Sequence, residues 1–367
     1  MSRPARALVD AGALRHNLEQ ARRRAPRARV MAVVKADAYG HGLVWTARIL
    51  DRAVDAFGVS SMEEGLQLRA AGIAQPICLL EGFFSADELP LLAQHRLEPA
   101  IHHESQLKTL AQAAPALKLT VWLKIDTGMH RLGFAPAAVP DVLQQLRTSP
   151  AVANVRCMSH FARADVASNP ETKSQIDIFL SQIQELGLES SLANSAGILA
   201  WPQSHLDWVR PGIMLYGASP LAGQTAAQLN LKPVMTLETA LIAVHARRKG
   251  DAIGYGGDWR CPQDMPLGVA AIGYGDGYPR HAAPGTPVLV NGQRVPIVGR
   301  VSMDMITLDL RAQPKAGVGD PVVLWGLGLP IEEVARSAGT ISYELLCHVT
   351  GRIPRVVIDN NSQDLQD

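Results

Sequence analysis

Eight short apolar runs, at 29–34, 56–60, 76–80, 97–101, 119–125, 155–160, 191–194 and 208–213, alternate with helix-period segments over the first two thirds of this chain. The helical segments include 61–71, 85–94, 104–113, 139–146 and 172–186. Eight such units in about 220 residues is the count of an α/β fold of the (β/α)8 TIM type. A doubly wound open sheet is the alternative, and it would carry a glycine-rich phosphate loop after its first strand. Here the first run is followed by Lys35-Ala36-Asp37, which is no such loop.

After Gly217 the pattern changes. From Leu231 onward, short strands at 239–245, 267–272, 286–290, 294–298, 305–308 and 321–325 are separated by Gly and Pro. That spacing belongs to an all-β sandwich or barrel. A helix at 331–338 and the segment 343–350 interrupt it. The Gly/Ala/Gln-rich connection at 218–232 marks the boundary. We expect a barrel over 1–225 and a mostly β-strand C-terminal domain over 226–367, which the first ten or so residues could join.

Composition narrows the class. Lys+Arg 35 against Asp+Glu 34 implies no polyanionic partner, and 5% aromatic residues provide no stacking surface for nucleic acid. The basic cluster Arg22, Arg23, Arg24, Arg27 and Arg29 reads as the solvated end of a helix. Cys78, Cys157, Cys261 and Cys347 lie far apart, which excludes a zinc ribbon and suits reduced thiols. No window approaches eighteen uncharged apolar residues, and the N-terminus lacks a signal-peptide core. The expectation is a cytoplasmic protein without a metal site.

Chemistry gathers where the barrel strands end. Lys35 and Tyr39 follow the first strand, Lys124 to Arg131 closes the fifth, and His160 ends the sixth. Asn194-Ser195 ends the seventh, and Arg210-Pro211-Gly212-Ile213 lies in the eighth. In this fold those ends meet at one mouth. Taken singly, each has a plain structural explanation: a lysine reaching water, a helix cap at Asn194-Ser195, a core histidine at 160. Together they pair an amine able to condense with an aldehyde and a cup able to hold phosphate, formed by Ser195 and the Gly212-Ile213 backbone. That combination points to pyridoxal 5′-phosphate (PLP).

The motifs VVKADAYGHG, WLKIDTGMHRLGF, the Asn-Ser pair, VRPGIMLYG, IGYGGDW, GYGDGYPR and GRVSMDM, in this order along the whole chain, resemble the alanine racemase family. The resemblance implies that Lys35 carries PLP and serves as one of two bases, with Tyr255 of the C-terminal domain as the other. A phenol is a weak acid, so that role needs positive charge nearby. By the same resemblance Arg210 faces the pyridine nitrogen, and His160 hydrogen-bonds Arg210. Tyr39 and Tyr343 bind phosphate, Arg131, Met303 and Asp304 meet the substrate, Tyr274 lies at the entrance, and Lys124 is a candidate for carbamylation. The family's C-terminal domain completes the site of a second subunit, so the implied assembly is a homodimer acting on L- and D-alanine. The glycine loops at 254–257 and 273–277 lack nucleotide-binding spacing. Trp259, Cys261, His102 and His103 read as structural.

Two other readings compete. One is a PLP-barrel enzyme of different scope, such as a broad-range racemase, a decarboxylase or an aldolase. Broad-range racemases resembling this one carry export signals, and similar decarboxylases place a carboxylate where Arg210 stands. The other is a non-catalytic PLP carrier, which would lack the domain holding Tyr255 and Met303.

Overall fold

A computed structural model describes residues 3–184 and 186–359. The chain opens with β1 (Arg6–Asp10) and the helix Ala11–Arg24, capped by the Asp10 carboxylate, which accepts from the Ala13 N–H. Next come β2 (Arg29–Val33), β3 (Ala56–Val59), β4 (Ile77–Leu79), β5 (Leu97–Ile101), β6 (Leu119–Lys124), β7 (Val152–Met158), β8 (Ser190–Asn194) and β9 (Trp208–Arg210). They pair in parallel, each with the next, and β9 returns to β2 to close the barrel. Apart from the exposed start of β7, both faces of these strands are largely buried, so their sequences read as apolar runs rather than alternating ones.

The period of two decides what fills the barrel. Met31, Ala56, Cys78, Ala100, Trp122, Met158 and Trp208 point inward as one apolar layer. At the N-terminal end below it, Arg156 lies 5.4 Å from both the Trp122 and the Trp208 ring and pairs with Glu98 and Glu189 at 2.7 Å. Arg29, grouped by sequence with the solvated cluster, instead pairs with Glu189 at 2.6 Å and covers Trp208 at 4.2 Å. A guanidinium over an indole is attractive when its own charge is also paired. Two residues above the apolar layer, the same parity brings Lys124 and Arg210 to the other end.

Some ends differ from the runs in the sequence. β9 stops at Arg210 because Pro211 has no N–H to donate, and Ile213–Tyr216 turns into a 3-10 helix. β7 starts at Val152 and ends at Met158, which leaves His160 on the following loop.

The C-terminal part adds β10 (Met235–Arg247), β11 (Ala252–Ile253), β12 (Trp259–Arg260), β13 (Met265–Ala270), β14 (Pro287–Val290), β15 (Gln293–Val298), β16 (Ile306–Asp309), β17 (Pro321–Trp325) and β18 (Arg355–Ile358). Its main sheet runs β13-β16-β15-β14-β17-β10-β1-β18, so the first strand of the chain lies between β10 and β18. The segment at 343–350 overlaps the helix Ser342–His348, which packs on the barrel mouth.

Candidate active site

A cavity of about 630 Å³ opens at the C-terminal mouth of the barrel. Lys35 enters it from an unusual backbone. Ala36, Asp37, Ala38 and Tyr39 have φ of 53, 52, 53 and 53°, a full left-handed turn built without glycine. That handedness costs roughly 1–2 kcal/mol per residue, so surrounding bonds must hold it. Glu64 accepts from the Ala36 N–H at 2.7 Å, and Asp37 accepts from the Leu43 N–H at 2.7 Å. The buried His41 Nδ1 lies 3.0 and 2.9 Å from the Ala38 and Tyr39 carbonyls. Arg355 Nε donates to the Gly40 carbonyl at 3.0 Å. A Cβ on Gly40 would stand 2.1 Å from the Leu346 carbonyl oxygen, so only glycine lets the C-terminal helix approach this closely.

The turn aims Tyr39 across the cavity. Its ring stacks on Tyr216 at 4.7 Å and meets Tyr343 at 6.1 Å. Burial raises the phenol pKa of both Tyr39 and Tyr343 above the ordinary range, so each hydroxyl keeps its proton to donate. Opposite, the Ser195 Oγ accepts from the Gly212 N–H at 2.9 Å and the Met214 N–H at 3.3 Å. Asn194 caps the helix Ser195–Ala200 by accepting from the Gly197 N–H at 2.9 Å. A Cβ on Gly212 would lie 2.5 Å from the Tyr39 hydroxyl. The result is a cradle of hydroxyls and backbone amides.

Cations line the rest. Lys35, Lys124, Arg131 and Arg210 surround the cavity, and Glu81 is the one acid among its described lining residues. Arg210 is buried and donates to Ser191 Oγ and the Ser159 carbonyl, both at 2.5 Å, and to the Leu192 carbonyl at 3.3 Å. The hydrogen bond expected between His160 and Arg210 does not form among the described residues, and these three bonds leave two of the five guanidinium N–H donors uncommitted. His160 lines the cavity nearby. Burial first, and then the charges of Arg210, Lys124, Arg131 and Lys35, hold its pKa well below the ordinary range. Its ring is neutral. Burial, with Arg210 and Arg131 close by, brings the Lys124 amine down to about 8. Arg131 follows a loop fastened by Asp126, which accepts from the Gly128, Met129 and His130 N–H groups at 3.0 to 3.1 Å.

The structure thus brings Lys35, Tyr39, Lys124, Arg131, His160, Asn194, Ser195, Arg210, Gly212, Ile213 and Tyr343 around one cavity. Four expected residues lie elsewhere. Tyr255 and Met303 are 67% and 52% exposed on the C-terminal domain, and Tyr274 is 37% exposed. The Asp304 carboxylate is taken by Arg352 at 2.5 Å, and Arg3 donates to its carbonyl at 3.3 Å.

Two family models, the N-terminal and C-terminal domains of alanine racemase, match residues 9–220 and 234–357. The chain belongs to the alanine racemase family. It is therefore an enzyme of the isomerase class. An alanine racemase of Nitrosococcus oceani is 57% identical over 96% of this chain and 98% of its own length. A biosynthetic alanine racemase of Escherichia coli is 51% identical over 96% and 98%. The crystal structure of the biosynthetic alanine racemase from Pseudomonas aeruginosa superposes with a TM-score of 0.95, at 47% identity, over 97% of this chain and 99% of that one.

Several cavity residues of this family member escaped the sequence reading: Val33, Leu80, Glu81, Met158, Ser159 and Cys347. Val33 and Leu80 were legible in principle. Each lies two residues beyond an inward-facing residue, Met31 or Cys78, so strand parity points it into the barrel. Cys347 carries no such signal, since the helix Ser342–His348 reaches the cavity only through tertiary packing.

Proposed function

We propose that this chain interconverts L- and D-alanine using PLP held at Lys35, in a homodimer whose subunits complete each other's sites. The observation that carries this reading is the cavity: an amine, a cradle for phosphate and a set of cations around about 630 Å³, a volume suited to a small cofactor with its substrate. The donor set fits PLP. Lys35 Nζ would take its aldehyde carbon. Tyr39, Tyr343, Asn194, Ser195 and the Gly212-Ile213 backbone would hold its phosphate. When bound, PLP draws electron density from the amino acid's Cα and makes the hydrogen there acidic.

The residues then divide the work. Arg210 offers donors only, so it would leave the pyridine nitrogen unprotonated and would favour return of a proton to Cα over transamination. Arg131 would orient the substrate carboxylate, and the neutral His160 would lie beside the ring. Lys35 Nζ would move a proton on one face of Cα. Tyr255 of the partner subunit would do so on the other, with Met303 and Tyr274 of the partner subunit beside it. Their exposure in a single chain supports that arrangement. We place the domain division at 225/226, with β1 counted with the C-terminal sheet. Relatives named biosynthetic support a role in supplying D-alanine.

Chiral analysis of L-alanine and L-serine incubated separately with PLP-loaded protein tests the reading. Alanine should reach the racemic mixture while serine lags. Equal conversion of both would move the assignment to a broad-range racemase, and conversion of neither would overturn it.

Lys124 gives a second expectation. An amine held near 8 is substantially neutral in mildly alkaline solution, and only the neutral amine takes up carbon dioxide. A carbamate there would place an anion beside Arg131 and relieve the surplus of positive charge. Mass spectrometry of intact protein should show one added carboxyl group in bicarbonate at pH about 8. The adduct should disappear on acidification or in Lys124→Ala. An unchanged mass under all conditions would remove the carbamate.

A further inference from the structure

We infer that Gln175, on the helix Pro170–Ile183, is a positioning residue for racemisation, fixing from behind the two loops that carry His160 and Arg131. The inference rests on the reading of the cavity given above. Gln175 is 3% exposed, Thr127 4% and Ser159 1%. Gln175 Oε1 accepts from the Ala162 N–H at 3.0 Å, and Nε2 donates to the His160 carbonyl at 3.2 Å. One amide therefore grips the backbone at His160 and two residues beyond it. The same Nε2 reaches Thr127 Oγ1 at 3.5 Å, and Thr127 Oγ1 shares a hydrogen bond of 2.8 Å with Ser159 Oγ. The Ser159 carbonyl in turn accepts from Arg210. Gly128, next to Thr127, lies beside the Gln175 stem, where a Cβ would sit at 3.4 Å, in ordinary van der Waals contact.

The residue type is what the position needs. A buried amide costs free energy unless its groups are paired, so a leucine would serve mere packing better. Glutamine alone among side chains of this length presents an acceptor and two donors on one rigid plane. Here the acceptor and both donor directions meet partners on two loops. Those loops end at groups that adjoin the ring and the substrate carboxylate, and misplacement by about 1 Å can cost ~10²-fold in rate.

Gln175→Glu keeps the acceptor for Ala162 but loses both donors, and Thr127→Val cuts the same link one step later. We would measure both variants and their combination as PLP-loaded enzyme, with rates counted per bound cofactor. Gln175→Glu should lower kcat for L-alanine about tenfold while KM changes less than about twofold. It should also shift the visible absorbance band of the lysine-bound cofactor. The double variant should lose no more than Gln175→Glu alone, since both break one connection. An unchanged kcat with an unshifted band would overturn the inference. So would losses that multiply, or a loss confined to thermal stability. If Gln175→Glu does not fold, Thr127→Val still reads the link through the band and kcat. A wild-type enzyme that fails to racemise alanine would instead sink the underlying reading, an outcome distinct from wild type and variant working equally well.

Discussion

Tyr255→Phe should abolish inversion while leaving half of the proton chemistry intact. The substitution removes one oxygen from a residue that is 67% exposed in the single chain, so folding should be untouched. Removing one general acid–base group costs roughly 10²–10⁴-fold. Net racemisation must fall equally in both directions, because the two enantiomers are equal in free energy and the equilibrium constant cannot move. The informative measurement is therefore α-hydrogen exchange in deuterated water. The enantiomer whose hydrogen faces Lys35 should still exchange, with retention of configuration, and the other should exchange at least about a hundredfold more slowly. Slight and equal losses for both enantiomers would remove Tyr255 from its proposed place. Mixing Tyr255→Phe with Lys35→Ala subunits should restore activity in part. One of the two sites in each mixed dimer would then hold both intact residues.

Lys35→Ala should lose racemisation more completely, by at least roughly 10³-fold, because the proposed attachment point and one proposed base disappear together. Borohydride treatment, which should link PLP to a peptide containing Lys35 in the wild type, should label no peptide in the variant. The cradle of Tyr39, Ser195 and Gly212 does not depend on the Lys35 side chain, so PLP should still bind, reversibly and more weakly. The change also removes one of the positive charges that depress the Lys124 amine. The Lys124 pKa should then rise, the neutral fraction should fall, and carbon dioxide uptake should shift to higher pH. Retained borohydride labelling at another lysine, with activity, would move the cofactor site.

The barrel, the strand-rich second part and most of the cavity were legible in the sequence, and each for a local reason. Apolar runs of strand length alternating with helical period report burial on both faces. A lysine, a histidine and an arginine at strand ends report the mouth of a barrel, whatever the loops do. The ordered motifs around Lys35, Arg210 and Tyr255 carried the family before any contact was known.

What only the tertiary structure decided depends on groups far apart in the chain. Ala36 to Tyr39 contain no glycine, and no local rule predicts four positive φ values there. Glu64, bonded to the Ala36 N–H from 28 residues away, and Arg355, bonded to the adjoining Gly40 carbonyl from 315 residues away, brace them, while His41 closes the turn locally. Arg29 looked like one more solvated arginine until β2 and β9 closed the barrel and placed it over Trp208. Gln175 carries no signal in its helix, because its partners lie on two other loops. Composition and periodicity record how each segment meets water. Which buried polar group meets which is set by closure of the barrel and by docking of the last helix, where most such groups must find a partner.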